Sequence, residues 1–197
     1  MHYAAEPKGV TEDATVRYDI ESKGSTFTVR ASAIGLLSSL GHSPTISIPG
    51  IEGEIALDPD TIEKSSLHMI VQASSLTVTG DISAKDCEEI NRRMHDEVLD
   101  SDSFPEIEYQ SLKVSASKTA EGQYWAAITG ELLMRGIRRT QPISARLSIN
   151  GTTLRAAGEF AIRQSDYEIR PVTALGGAIR LKDELKCSFD IIARKQL

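Results

Sequence analysis

The chain has 197 residues, of which 40% are hydrophobic and 25% are charged. This length fits one domain, and the apolar share is enough for a sizeable core, which excludes a wholly disordered chain. The net charge of −6, without a block of Lys and Arg, argues against nucleic acid as a partner, and no apolar run approaches the roughly 20 residues that span a bilayer.

Three segments within the first 60 residues alternate apolar and polar side chains with the period of β-strands. Alternation over residues 16–20 and 27–31 flanks the turn signal Gly24-Ser25, which predicts a first hairpin. Residues 46–57 alternate in two pieces around Pro49-Gly50. This pattern predicts two short strands with a bend between them.

Residues 83–99 show the period of a helix instead. Ser83 is followed three residues later by Asp86, a variant of the capping box that begins helices. The segment therefore predicts one amphipathic helix. Its apolar positions, spaced by three and four residues, are Cys87, Ile90, Met94 and Val98.

The second half of the chain returns to regular alternation, interrupted by the short turn signals Arg135-Gly136 and Asn150-Gly151. Asn-Gly is typical of a type I′ hairpin turn. The predicted strands cover residues 107–114 with a bulge, 124–134, 143–149, 154–162 and 185–191. Eight to ten strands with short connections predict an antiparallel sheet that curls into a barrel, although a β-sandwich would give nearly the same pattern.

Several segments resemble the YceI-like family, in the same order along the chain from about Ala14 to Lys195. RRMHDEVL at 92–99 and SFPEIEYQS at 103–111 resemble the family's helix and its "yP.i.F.S" strand. TGELLMRG at 129–136 is similar to its "G.L.irG" hairpin, and FAIRQSDY at 160–167 to its "f.i.RsDFG" segment.

This resemblance implies a mainly β fold: an extended, antiparallel, lipocalin-like β-barrel of about eight strands with one amphipathic helix around residues 83–99. It implies a single domain over residues 14–197 after a flexible segment at 1–13, and it is compatible with a homodimer. The interior of such a barrel holds a long isoprenoid or a similar lipid. No cofactor is implied apart from a bound isoprenoid, quinone or fatty-acid-like molecule.

An apolar ligand needs a concave wall of inward-facing side chains. Its binding to such a wall is stabilised by about 25 cal/mol for each Å² of apolar surface removed from water. Each inward-facing residue can equally be part of an ordinary filled core. The candidate lining residues are Phe27, Val29, Leu57, Met69, Val71, Ile128, Leu132, Leu147, Phe160, Ile162 and Phe189.

Four residues are candidates for contact with a polar head group. By resemblance, His42 lies near the barrel mouth. Arg135 belongs to a basic turn and can meet a diphosphate or a carboxylate. Arg163 and Asp166 can form a structural ion pair or turn cap, or can contact a ligand.

Three functions are compatible with this pattern. The first is a carrier that holds an apolar small molecule. The second is an enzyme that acts on a lipid within the barrel, with Asp166, His42 or Arg163 as proton donor or anion holder, although no GxSxG, HExxH or other catalytic or metal motif is present. The third is a filled barrel with a structural or interaction role.

The N-terminus and the two cysteines bear on the cellular compartment. The first eight residues contain acid and proline where a secretory signal needs a basic start and a continuous apolar stretch. Cys87 and Cys187 are too few for a disulfide framework and belong to no metal-binding pattern. If the chain is complete, these features predict a cytoplasmic protein with reduced thiols.

Overall fold

A computed structural model describes residues 15–34, 43–174 and 179–196. The segment predicted to be flexible, residues 1–13, lies outside the described residues. The helix α1 spans Ala84–Arg93 and continues as a π-helical turn over Met94–Leu99. The strands are β1 (Val16–Arg30), β2 (Ala33–Ile34), β3 (Thr45–Ser47), β4 (Ile51–Leu57), β5 (Ser66–Gln72), β6 (Thr77–Thr79), β7 (Glu106–Ala120), β8 (Gln123–Met134), β9 (Ile137–Asn150), β10 (Thr153–Arg163), β11 (Thr173–Ala174), β12 (Ile179–Leu181) and β13 (Glu184–Lys195).

Eight strands form a closed antiparallel barrel in the order β1-β4-β5-β7-β8-β9-β10-β13, and β13 pairs with β1 to complete the circle. The predicted barrel is therefore confirmed, and the β-sandwich is excluded. Strands β3 and β6 extend the wall beside β1, while β2, β11 and β12 form a separate small sheet. Closure leaves the eight barrel strands without an unpaired edge.

β1 is one long strand, so the predicted hairpin at its centre is wrong. Glu21 pairs with Ile192 of β13, and from Thr26 onward the chain resumes pairing with the same strand. Between them, Gly24-Ser25 form a bulge in which Ser25 Oγ accepts a hydrogen bond from the Ile192 backbone N–H at 2.9 Å. The local turn signal produces a bulge because β13 continues on both sides of it.

The β8–β9 and β9–β10 hairpins form as predicted, but the position of the second turn is shifted by one residue. Arg135 and Gly136 both have positive φ, 53° and 71°, as a type I′ turn requires. Between β9 and β10, however, Asn150 still pairs with Thr153. The loop residues are Gly151, whose φ is 57°, and Thr152, so the predicted Asn150-Gly151 turn is displaced by one residue.

The helix begins as its capping pattern predicts, because Ser83 Oγ accepts the Asp86 backbone N–H at 3.1 Å. Two hydrogen bonds then fix it over one end of the barrel. The Val78 N–H donates to Asn91 Oδ1 at 2.8 Å, and Arg135 Nη1 donates to the Val98 carbonyl at 3.0 Å. Helix α1 therefore covers the end at which β6 and the β8–β9 turn lie.

The barrel interior has two different halves. Farther from the helix, four buried side chains form a compact core, and five partly buried ones pack against it. We call this core the filled half: Tyr18, Leu57, Leu154 and Ala193, with Val16, Ile20, Ile55, Ile149 and Ala156. The helix-covered end is called the hollow half, because it contains the cavity described below.

A substitution at Gly130 tests the packing between the barrel strands. A Cβ atom added there would lie 2.5 Å from the Tyr109 ring and 2.6 Å from the Gln110 carbonyl oxygen. We expect Gly130→Ala to lower the free energy of unfolding by about 2–3 kcal/mol, because a buried ring and a strand must shift. Urea denaturation measures this change.

Gly50→Ala is the matched control. Its added Cβ would meet no atom closer than 3.7 Å. We expect a change within about 0.5 kcal/mol. Equal losses for the two variants would contradict the assigned packing of Tyr109 on Gly130.

Candidate functional site

The hollow half encloses a cavity of about 520 Å³. This volume is within the range of small-molecule sites, roughly 300–1,000 Å³. Barrel strands, the β2–β11–β12 region and the helix all contribute to its walls. The described apolar side chains that line it are Phe27, Val29, Ala31, Pro44, Ile46, Ile48, Met69, Val71, Leu76, Ile90, Met94, Val98, Leu99, Ile107, Leu132, Met134, Ile143, Phe160, Ile162, Val172, Leu181 and Leu185.

Three phenylalanines meet at the inner end of this cavity. The Phe27 ring lies edge-on to Phe160 with 6.0 Å between ring centroids, and it stacks on Phe189 at 6.1 Å. Phe27 and Phe160 line the cavity, whereas Phe189 does not. Phe189 therefore lies behind the two lining rings, toward the filled half.

Tyr109 and Cys187 bring polar atoms to the wall without adding charge. The Tyr109 hydroxyl donates to the Gln141 carbonyl at 3.0 Å, and burial raises the pKa of Tyr109 to about 12. Burial likewise raises the pKa of the Cys187 thiol to about 12. Both groups are therefore neutral near pH 7, and the inner wall favours an uncharged guest.

Gln164 is a deeply buried amide residue of the lining, with only 3% of its surface exposed. Its Nε2 donates to the Lys182 carbonyl at 2.8 Å, and its backbone N–H donates to the Asp183 carbonyl at 3.0 Å. Among the described residues, no hydrogen bond reaches Gln164 Oε1. Gln164 Oε1 is an uncharged hydrogen-bond acceptor of a residue in the mainly apolar lining.

The cavity reaches solvent beside the first turns of the helix, where the exposed residues Asp86 and Thr173 contribute to the lining. Arg93 is also part of the lining at this end. Its Nε and Nη2 both donate to Glu97 Oε2 at 3.2 Å. The guanidinium charge at the entrance is thus already balanced by a carboxylate.

The structure brings most of the predicted apolar residues together around this cavity. Four others lie elsewhere: Leu57 is in the filled half, Phe189 lies behind the phenylalanine pair, and the partly buried Ile128 and Leu147 do not line the cavity. As a ligand-contacting set, the residues stay a prediction. Those that line the cavity are Phe27, Val29, Met69, Val71, Leu132, Phe160 and Ile162.

The predicted polar residues do not converge on the cavity. Arg135 contacts the helix through the Val98 carbonyl, and Arg163 and Asp166 are exposed and outside the lining. The Asp166 carbonyl instead accepts a hydrogen bond from Arg139 Nε at 3.0 Å. His42 lies outside the described residues.

Two features are absent from residues 15–34, 43–174 and 179–196. In these ranges, no group of three or more His, Cys, Asp or Glu side chains is arranged to hold a metal ion. No helix there is both long enough and apolar enough to span a membrane.

Known structures share this architecture. Burkholderia cenocepacia BcnA superimposes with a TM-score of 0.66 at 15% identity, covering 88% of this chain and 98% of that one. A polyisoprenoid binding domain from Saccharophagus degradans, described as implicated in plant cell wall breakdown, gives 0.64 at 9% identity, covering 91% and 98%. The Campylobacter jejuni YCEI protein gives 0.58 at 14% identity, covering 77% and 85%.

At these identities the structural matches establish the fold alone. A comparison with curated proteins finds no match. The sequence itself, however, matches the family model of the YceI-like domain over residues 18–193, which is nearly the whole described barrel. The chain therefore belongs to the YceI-like family.

Proposed function

We propose that this protein binds an isoprenoid or a similar long apolar molecule in the hollow half of its barrel and serves in its transport, storage or sequestration. The observation that carries the proposal is the cavity of about 520 Å³ with its apolar wall. The family assignment and the polyisoprenoid binding domain among the structural matches support the same ligand class.

The wall supplies most of the binding free energy in this proposal. Each methylene group moved from water into an apolar site contributes about 0.8 kcal/mol. Much of the lining belongs to closed barrel strands whose backbone geometry is already set, so the free-energy cost of ordering this part of the wall on binding is small. A single hydrocarbon chain therefore binds without any specific polar contact along most of its length.

Gln164 completes the proposed site by selecting an uncharged head group. Its Oε1 can accept a hydrogen bond from a hydroxyl or an amide N–H. Among the described lining residues, Arg93 is the one cationic side chain, and it already pairs with Glu97; these residues thus offer a buried carboxylate or diphosphate no free counter-ion, and burial of an unpaired charge is costly. The proposal therefore favours prenyl alcohols and fatty amides over ionised lipids.

The alternative functions gain little from the geometry. Of the residues considered for catalysis, Arg163 and Asp166 lie outside the cavity lining, and His42 lies outside the described residues. The alternative of a barrel filled by its own side chains fits the filled half of the interior, but it does not fit the hollow half, which contains the cavity. Cytoplasmic location and homodimer formation stay predictions.

Leu132→Trp tests whether the cavity holds the ligand. Leu132 lines the cavity, and we expect the larger indole to occupy ligand space and lower the amount of co-purified lipid at least about tenfold, the effect of roughly two displaced methylene groups. Mass spectrometry of the lipid released on denaturation, quantified per protein chain, measures this loss.

Leu133→Trp is the matched control, because the neighbouring side chain lies outside the cavity lining. This variant should retain the lipid content of the unmodified protein. Equal lipid content in both variants, or a lipid-free unmodified protein that takes up no prenol, would contradict the proposed function.

Gln164→Met tests the head-group contact. Methionine has a similar length but no amide, so the hydrogen bond to a ligand hydroxyl is lost. We expect the affinity for farnesol to fall about five- to thirtyfold, as the loss of one buried hydrogen bond predicts. The affinity for the corresponding hydrocarbon, farnesene, should stay the same, and fluorescence-probe displacement measures both.

Gln110→Met is the control for the loss of an amide. Gln110 Nε2 also donates to a backbone carbonyl, that of Leu67 at 3.3 Å, but Gln110 does not line the cavity. This variant should bind farnesol like the unmodified protein. If Gln164→Met binds farnesol undiminished, the head group lies elsewhere.

A further inference from the structure

We propose that Ile20, Tyr109 and Phe189 form a floor across the barrel that limits the buried part of a ligand to roughly 15–20 carbon atoms. This inference rests on the proposed function, because it concerns how much of an apolar chain the same cavity accepts. The inference adds to the proposed function a selection of ligands by the length of their apolar chain. We call the three residues the floor.

The floor lies where the cavity lining ends and the packed interior begins. On β13, Leu185 and Cys187 line the cavity, Phe189 follows, the buried Ile191 still belongs to the core around the cavity, and Ala193 belongs to the filled half. Ile20 packs against both the core around the cavity and the filled half. Phe189 and Ile20 therefore lie at the transition between the cavity and the filled half.

Glycines opposite the floor make room for its large side chains. A Cβ atom added at Gly130 would lie 2.5 Å from the Tyr109 ring, and one added at Gly158 would lie 2.8 Å from Phe189 Cζ. A Cβ atom at Gly53 would lie 3.1 Å from Ile20 Cδ1. Each floor residue thus packs directly on backbone that carries no side chain.

Small residues continue this arrangement around the barrel at the level of Phe189. Gly158 pairs with Phe189 and with Ala145, and Ala145 pairs with Ala126. Both alanines are buried. The Phe189 ring therefore occupies interior space that its neighbours leave, and it closes the inner end of the cavity.

The volume above the floor sets the capacity. A methylene group and a water molecule each take up roughly 30 Å³ in the liquid, so about 520 Å³ holds on the order of 15–20 carbon atoms. This is the size of a prenyl chain of three or four isoprene units. A longer chain that enters from the helix end must leave its remaining units outside.

Isoprene units that extend out of the cavity weaken binding when the protein competes with an apolar environment such as a detergent micelle. A prenol in a detergent micelle has its whole chain out of water, whereas a long prenol in the cavity exposes everything beyond the capacity. Each exposed methylene group lowers the relative affinity roughly fourfold. Loading from micelles should therefore fall sharply once the chain exceeds the cavity.

Competitive loading tests the limit. The full chain, freed of lipid, is mixed with micelles that contain equal amounts of geraniol, farnesol, geranylgeraniol, geranylfarnesol and solanesol, and mass spectrometry identifies the bound species. We expect farnesol and geranylgeraniol to dominate, with solanesol at least about tenfold lower. Equal loading of solanesol and geranylgeraniol would overturn the length limit while leaving the proposed function intact.

Two floor variants locate the limit. Phe189→Ala should extend the cavity by about one isoprene unit and raise the ratio of geranylfarnesol to geranylgeraniol about tenfold, and the milder Phe189→Leu should raise it less. Leu154→Ala, which truncates a buried side chain in the filled half, should leave the ratio unchanged. An unchanged ratio in both Phe189 variants would overturn the role of the floor, and no loading of any prenol would overturn the proposed function itself.

Discussion

The pairing of β1 with β13 is the constraint on which the rest of the structure depends. It joins residues near the two ends of the described chain, from Tyr18 opposite Lys195 to Arg30 opposite Lys186. Closure with eight strands gives a barrel whose interior can hold its own side chains or one small ligand. Because the circumference is set by strand number and stagger, the sizes of the inward-facing residues decide where space is left.

The positions of the large inward-facing side chains divide the barrel interior into the filled half and the hollow half. Tyr18, Leu57 and Leu154 meet across the barrel in the filled half and supply a core that needs no guest. At the other end, the lining residues stay apart, and the helix provides the cover. Since a packed core contributes stability wherever it forms, the filled half can hold the barrel closed while the hollow half exchanges its contents.

Period-2 alternation in the sequence predicts the strands and their inward-facing side chains, and apolar spacings of three and four residues predict the helix, because those features follow from local geometry. It does not predict the level of a residue along the barrel axis. That level depends on the stagger between strands, which explains why Leu57 lies in the filled half although it shares an inward face with Val71. The sequence pattern could have identified Gln164 as an inward-facing residue, since it continues the alternation of Phe160 and Ile162 by two residues.

The same stagger explains why an apolar cavity and a single polar acceptor occur together. Gln164 follows the end of β10, where the chain leaves the barrel wall and its backbone bonds to Asp183 instead of to a neighbouring barrel strand. A polar side chain can be buried there because the adjoining loop supplies the Lys182 carbonyl as a partner. Farther inside, the wall consists of paired barrel strands, so a buried amide without a hydrogen-bond partner would be costly there. In the proposed function, this wall chemistry orients an amphiphilic guest with its head toward the helix-covered end and its chain toward the filled half.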